Sequence, residues 1–171
     1  FDFYHALSKP DRHSIKVSFS PEFQALMQRQ LAGLGQFLVL PHISAFDLVG
    51  MEAVRAGMQM QVLTYARPPA TYRLENRIRR YVGMQATPIS GESMRKALER
   101  LRNGGTVLTG VDRPPQGQVL PAADQPSFFG LPANLHTGYL RLVQRAQVPL
   151  AVVAAQSGPP GEYRVWASEL I

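Results

Sequence analysis

The sequence has 171 residues, of which 45% are hydrophobic and 18% are charged, and its formal net charge at pH 7 is +6. This length suits one domain with a buried core, and the hydrophobic fraction excludes a disordered chain. Cysteine is absent, which excludes disulfides, thiolate metal sites and a cysteine nucleophile.

Apolar runs separated by Gly, Pro and polar clusters predict alternating helices and short strands. In chain order we predict a helix over 20–33, a strand over 37–40, a helix from 44 or 47 to 57, a strand over 60–66, a helix over 72–82, an extended piece over 84–89, a helix over 91–103, a strand over 106–111, a compact segment over 128–133, a helix over 136–146, and strands over 148–155 and near 163–167. Such alternation with short connections predicts a single α/β domain over residues 1–171. Its mostly parallel central sheet has helices on both faces. No run reaches the roughly 18 consecutive apolar residues of a spanning helix.

Three polar residues follow directly after predicted strands. They are His42, Arg67 and Asp112. Parallel sheets bind ligands beyond the carboxyl ends of their strands, so we expect these side chains to meet at one edge of the sheet.

His42 and Asp47 lie in the segment PHISAFDLVG, five residues apart. On one continuous helix they would point about 140° apart. If His42 lies in the turn and Asp47 in the first helical turn, the carboxylate can bind one ring nitrogen and leave the other free. That arrangement makes His42 a general base that activates a hydroxyl of the substrate. The alternative is a histidine that only caps or fills a loop.

Further motifs follow in a characteristic order: YARP at 65–68, RLENRIRRYVG at 73–83, KALERLRNGGTV at 96–107, VDRP at 111–114 and PSFFGLPANLHTG at 126–138. Together with H-x4-D after an apolar strand, they resemble the glycerol-3-phosphate and lysophospholipid acyltransferase superfamily. The resemblance is greatest to its lipid A biosynthesis lauroyl/myristoyl acyltransferase branch, which includes the phosphatidylinositol mannoside acyltransferases. It covers residues 30 to 156.

The resemblance implies an O-acyltransferase in which His42 is the base and Asp47 its orienting partner. It places Arg67, an arginine of the RIRR segment at 77–80 and Asp112 in the substrate pocket. Our further candidates for substrate binding are Ser44, Arg77, Arg80, Phe128 and Phe129. It implies a fatty acyl thioester of acyl carrier protein or coenzyme A as co-substrate, a lipid or glycolipid acceptor, and neither a resident cofactor nor a metal. It further implies work at a membrane surface, on the cytoplasmic face of the cell membrane.

Several of these positions have a simpler interpretation. Arg73, Arg77 and Arg80 share one helix face, which either clamps phosphate oxygens or is merely solvated. Asp112 either orients an arginine, fixes the acceptor or makes a loop turn. Phe128 and Phe129 either wall an acyl tunnel or pack in the core.

The sequence also departs from the family pattern. Pro41 precedes the motif histidine where members often have Asn or a small residue, and Arg113-Pro114 replaces a second acidic residue. The N-terminal anchor and the Trp-rich C-terminal part of relatives are not in this sequence. These departures keep open a catalytically silent module with the same fold that binds lipid or acyl carrier. The isoelectric point of about 10.1 suggests a nucleic-acid binder, but aromatic residues do not interleave with the arginines.

Overall fold

The computed structural model describes residues 16–112, 119–135 and 137–171. The strands are Lys16–Phe19 (β1), Gln36–Leu40 (β2), Met60–Thr64 (β3), Gln85–Pro88 (β4), Thr106–Gly110 (β5), Ser127–Phe128 (β6), Leu131–Pro132 (β7), Leu150–Ser157 (β8) and Glu162–Ala167 (β9). The helices are Pro21–Leu31 (α1), Phe46–Arg55 (α2), Ala70–Tyr81 (α3), Gly91–Arg102 (α4) and Gly138–Ala146 (α5), with a 3₁₀ turn at Ala122–Asp124.

Seven strands form the central sheet in the order β1-β9-β8-β2-β5-β3-β4, and β6 pairs with β7 in a separate hairpin. Neighbouring strands of the large sheet are parallel except for the antiparallel pair β8 and β9. The predicted mostly parallel α/β sheet is therefore confirmed. Strand β1 and the β6–β7 hairpin were not predicted as strands.

Successive residues of β2 enter two different hydrophobic cores, as the two faces of a strand require. Leu38 and Leu40 pack on the α1 and α2 side, with Phe23 and Ala53 among their neighbours. Phe37 and Val39 pack on the opposite side, where α4 and α5 supply the apolar residues Ala97, Leu101, Leu142 and Ala146. Helices thus cover both faces of the sheet, as predicted.

The helix ends test the capping predictions. Ser20 is the N-cap of α1, and its hydroxyl accepts a hydrogen bond from the Phe23 N–H at 3.3 Å, as its place before Pro21 predicts. The prediction that Ser44 or Asp47 caps α2 is wrong, because Ala45 occupies that position. Ser44 instead has a left-handed backbone (φ 52°).

The Ser44 hydroxyl shares a hydrogen bond of 2.6 Å with that of Ser157. It thus connects the turn after β2 to the end of β8. His136, where α5 was predicted to begin, lies outside the described residues, and α5 begins at Gly138. No helix in the described ranges combines the length and apolar character needed to cross a membrane.

Candidate active site

The strand register brings His42 and Asp112 together. β2 and β5 are neighbours in the sheet, and Leu40 pairs with Gly110 at their carboxyl ends. His42 and Asp112 each follow two residues later, so both side chains lie at the same edge. The predicted convergence at this edge is confirmed for these two residues.

Asp112 binds both the ring and the backbone of His42. The His42 Nδ1 and the Asp112 Oδ1 are 2.5 Å apart, and the His42 backbone N–H donates to Oδ2 at 2.7 Å. Partial burial raises the pKa of the Asp112 carboxyl, but the hydrogen bonds and the charge of His42 outweigh it, so the pKa lies below its ordinary value. An ionised carboxylate only accepts, so the proton lies on Nδ1, and Nε2 is left as the basic nitrogen.

The expected hydrogen bond from the His42 ring to the Asp47 carboxylate is absent, and Asp47 instead forms an ion pair with Arg79. The Arg79 Nε donates to Oδ1 of Asp47 at 2.7 Å and its Nη2 donates to Oδ2 at 3.2 Å. The Arg79 side chain is 6% exposed, and a buried guanidinium requires a carboxylate partner. The bidentate pair satisfies both carboxylate oxygens of Asp47, so the carboxylate that holds the imidazole is Asp112.

Arg79 also organises the surroundings of the imidazole. Its Nη1 donates to the Asn76 side chain at 2.9 Å, and its guanidinium carbon lies 6.0 Å from the ring centroids of both Phe46 and Tyr72. Phe46 meets the His42 ring edge-on at 4.7 Å between centroids. The Asp47–Arg79 pair therefore holds the start of α2, and with it the aromatic ring beside His42.

The arginine stripe predicted on α3 faces away from the site. Arg73, Arg77 and Arg80 are exposed, and Arg80 donates to a backbone carbonyl of β4. The inward face of α3 is formed by the residues that directly precede Arg77 and Arg80, namely Asn76 and Arg79, which are buried. The prediction that Arg77 and Arg80 line the pocket is thus corrected to Arg79. The sequence did contain a signal for the inward face of α3. Tyr72, Asn76 and Arg79 are spaced at i, i+4 and i+7 and therefore share one helix face.

A cavity of about 380 Å³ is lined by His42 and by residues of β2, β3, β5 and α2. Its lining includes His42, Asp47 and Arg79 at the sheet edge, and the rest is mostly apolar. This volume lies in the range of about 300–1,000 Å³ that is usual for small-molecule sites. The described part of the chain contains no cluster of three or more His, Asp or Glu side chains placed to hold a metal ion. An apolar chain with a polar head is the ligand that fits such a lining.

The remaining predicted residues lie outside this lining. Arg67 is exposed, two residues beyond Tyr65, which does line the cavity. Phe128 and Phe129 are 59% and 92% exposed and meet edge-to-face at the β6–β7 hairpin, so they neither wall the cavity nor pack in the core. Phe129 occupies the left-handed turn position (φ 52°), which directs the chain back into β7. That local geometry overrides the burial expected from hydrophobicity.

Gly110 provides the space that the imidazole occupies. A Cβ built on Gly110 would overlap the Cε1 of His42 and come within 3.1 Å of both ring nitrogens. We predict that Gly110→Ala displaces the ring and lowers any His42-dependent turnover at least about tenfold, since reactions of this kind tolerate little misplacement. The matched control is Gly91→Ala, whose Cβ would meet nothing within 4 Å. Steady-state kinetics checks the prediction, and equal rates for the two variants would contradict it.

Comparisons with known proteins agree with this architecture. The family model for bacterial lipid A biosynthesis acyltransferases matches residues 7–167. Two phosphatidylinositol mannoside acyltransferases, from Mycobacterium tuberculosis strains CDC 1551/Oshkosh and ATCC 25618/H37Rv, are each 30% identical over 115 residues. The alignment covers 65% of this chain and 35% of each relative. The match thus spans about a third of the length of these curated relatives.

Proposed function

Because this chain belongs to the bacterial lipid A biosynthesis acyltransferase family, we propose that the protein transfers a fatty acyl group from an acyl thioester to a hydroxyl of a glycolipid. The observation that carries the proposal is the His42–Asp112 pair, whose imidazole lines a mostly apolar cavity. A base that faces such a cavity suits a substrate with a reactive head and an alkyl tail.

In the proposed reaction, Nε2 of His42 takes the proton of the acceptor hydroxyl as its oxygen attacks the thioester carbonyl. Asp112 keeps the ring in the required tautomer and stabilises the imidazolium that forms. When the tetrahedral intermediate collapses, the carbon–sulfur bond breaks and the thiolate takes the proton from the imidazolium. The products are an ester and a free thiol, and no acyl-enzyme is formed.

The oxyanion of the intermediate needs a donor, and the start of α2 is the candidate. α2 begins at Phe46, four residues after His42, and the first N–H groups of a helix have no partner within the helix. They also carry the positive end of the helix dipole. Arg79 fixes this helix start through Asp47, so we assign Asp47 a positioning role rather than contact with the imidazole.

The acyl donor in this proposal is a fatty acyl thioester of acyl carrier protein or coenzyme A. No resident cofactor or metal takes part. The relatives' names indicate the acceptor class, a phosphatidylinositol mannoside, and the family name indicates lipid A precursors. Both acceptors carry hydroxyls on a membrane-bound glycolipid, so the reaction would take place at a membrane surface, and we propose that this is the cytoplasmic face of the cell membrane. The exposed Arg67 and the hydroxyl of Ser44 remain candidates for contacts with the polar parts of the substrates.

The test is acyl transfer by the full-length protein. Radiolabelled acyl-CoA or acyl carrier protein is incubated with vesicles that contain phosphatidylinositol mannoside or, separately, a lipid A precursor, and the lipids are separated. A labelled acceptor that carries one additional acyl chain supports the proposal. Thioester that binds but is not consumed with either acceptor would contradict it and would favour the silent binding module.

A further inference from the structure

The deep end of the cavity lies at the opposite end of the sheet from His42. Met60 begins β3, and Met84 stands directly before β4 at the same level, because Gln61 pairs with Gln85. Both methionines line the cavity and both are buried. Four residues separate this level from the last residue of β3, so it lies about 13 Å below the sheet edge at ~3.3 Å per residue.

One face of α2 forms the opposite wall through residues spaced three apart. Asp47, Gly50 and Ala53 all line the cavity. The last two have almost no side chain, so the space between α2 and the sheet remains open. At Gly50 the Met84 side chain fills the space between α2 and the sheet. It lies so close to the helix that a Cβ built on Gly50 would be 2.7 Å from the Met84 Sδ and 3.4 Å from its Cε.

The Met84 backbone is held in place while the end of its side chain is adjustable. Its N–H donates to the Arg79 carbonyl at 2.9 Å, which ties it to the end of α3. A thioether side chain has three rotatable bonds and adapts to small changes in its surroundings. A change at residue 50 or 84 therefore acts on the depth of the cavity, at the end remote from His42.

We propose that Met84, seated against Gly50, sets the length of the acyl chain that the protein accepts. The inference rests on the proposed function, in which the thioester carbonyl lies at His42 and the alkyl chain follows the cavity downwards. The chain ends where the Met84 thioether fills the space beside Gly50. Shortening Met84 would admit longer chains, and enlarging Gly50 would push the thioether into the cavity and favour shorter ones.

The experiment measures kcat/KM of the full-length protein for a series of saturated acyl-CoA substrates that differ by two carbons. We predict that Met84→Ala moves the preferred chain length upwards by at least one step, and that Gly50→Ala moves it downwards. Burial of two further methylenes corresponds to a change of about tenfold in the ratio of kcat/KM between neighbouring chain lengths. Calorimetric binding of saturated fatty acids of the same lengths gives a second measurement that needs no turnover.

Met58→Ala is the matched control. Met58 is 2% exposed and belongs to the same hydrophobic core as Met84, but it does not line the cavity. It should lose comparable stability and keep the wild-type chain-length profile. A wild-type profile in Met84→Ala and Gly50→Ala, in an enzyme that still turns over, would overturn the length assignment alone. Absence of transfer by the wild type from every chain length would instead remove the proposed function.

Discussion

Replacement of His42 by alanine is expected to lower kcat for acyl transfer by about 10²–10⁴-fold, the usual contribution of a general base. Without the imidazole, the proton of the acceptor hydroxyl has no positioned base to receive it. The protein should remain folded, because the His42 side chain lies at the sheet edge, 19% exposed, and belongs to none of the hydrophobic cores. Steady-state kinetics together with the thermal unfolding midpoint checks both halves of this expectation.

His42→Gln separates the chemistry from the space that the ring fills. Glutamine can donate and accept hydrogen bonds near Asp112 but cannot take up a proton at neutral pH. We expect it to be as inactive as the alanine variant. Wild-type turnover in either folded variant would show that another group serves as the base.

The second large effect is expected for Asp112→Asn. The amide keeps the shape of the side chain but carries donor hydrogens, so it favours the wrong tautomer of His42 and no longer stabilises the imidazolium. The corresponding change in a serine protease triad lowers kcat about 10⁴-fold, and we expect a loss of about 10²–10⁴-fold here. Asp124→Asn is the matched control, because Asp124 is an exposed carboxylate in the 3₁₀ turn. Its kcat should equal that of the wild type.

Asp47→Asn should act mainly on stability. It leaves the guanidinium of Arg79, which is 6% exposed, without its bidentate partner. Breaking a fully buried pair costs about 3–5 kcal/mol, and the cost here should be smaller because Asp47 is 21% exposed and because Glu75, whose Oε2 lies 3.5 Å from the Arg79 Nη2, remains as a partner. Denaturant unfolding measures this loss. The assignment of the two carboxylates would be reversed if Asp47→Asn lost as much kcat as Asp112→Asn at unchanged stability.

The alternating fold could be predicted because each central strand is a short apolar run with Gly, Pro or polar residues at its ends. β1 was missed for the opposite reason. In Lys16–Phe19, apolar and polar residues alternate over only four positions at the edge of the sheet, which is too short a pattern to separate from a loop. The hairpin was missed because its strands have two residues each.

The partner of His42 could not be predicted because it depends on strand order. The sequence places both His42 and Asp112 after strands, but the two residues lie 70 positions apart. Only the structure shows that their strands, β2 and β5, are neighbours in the sheet. Asp47, five residues away, was therefore the natural choice. Arg79 was missed because α3 carries several arginines. Neighbouring positions on a helix point in different directions, so choosing Arg80 instead of Arg79 selects a different face as the inward one.

The most direct test of this account is the tautomer of His42, measured by ¹⁵N NMR and assigned by comparison with His42→Gln. The structure predicts that the neutral ring carries its proton on Nδ1 and leaves Nε2 bare, a tautomer that Asp112→Asn should abolish and Asp47→Asn should preserve. A neutral ring with its proton on Nε2 in the wild type, or a tautomer that responds to Asp47→Asn and not to Asp112→Asn, would contradict the central claim that Asp112 holds the catalytic imidazole.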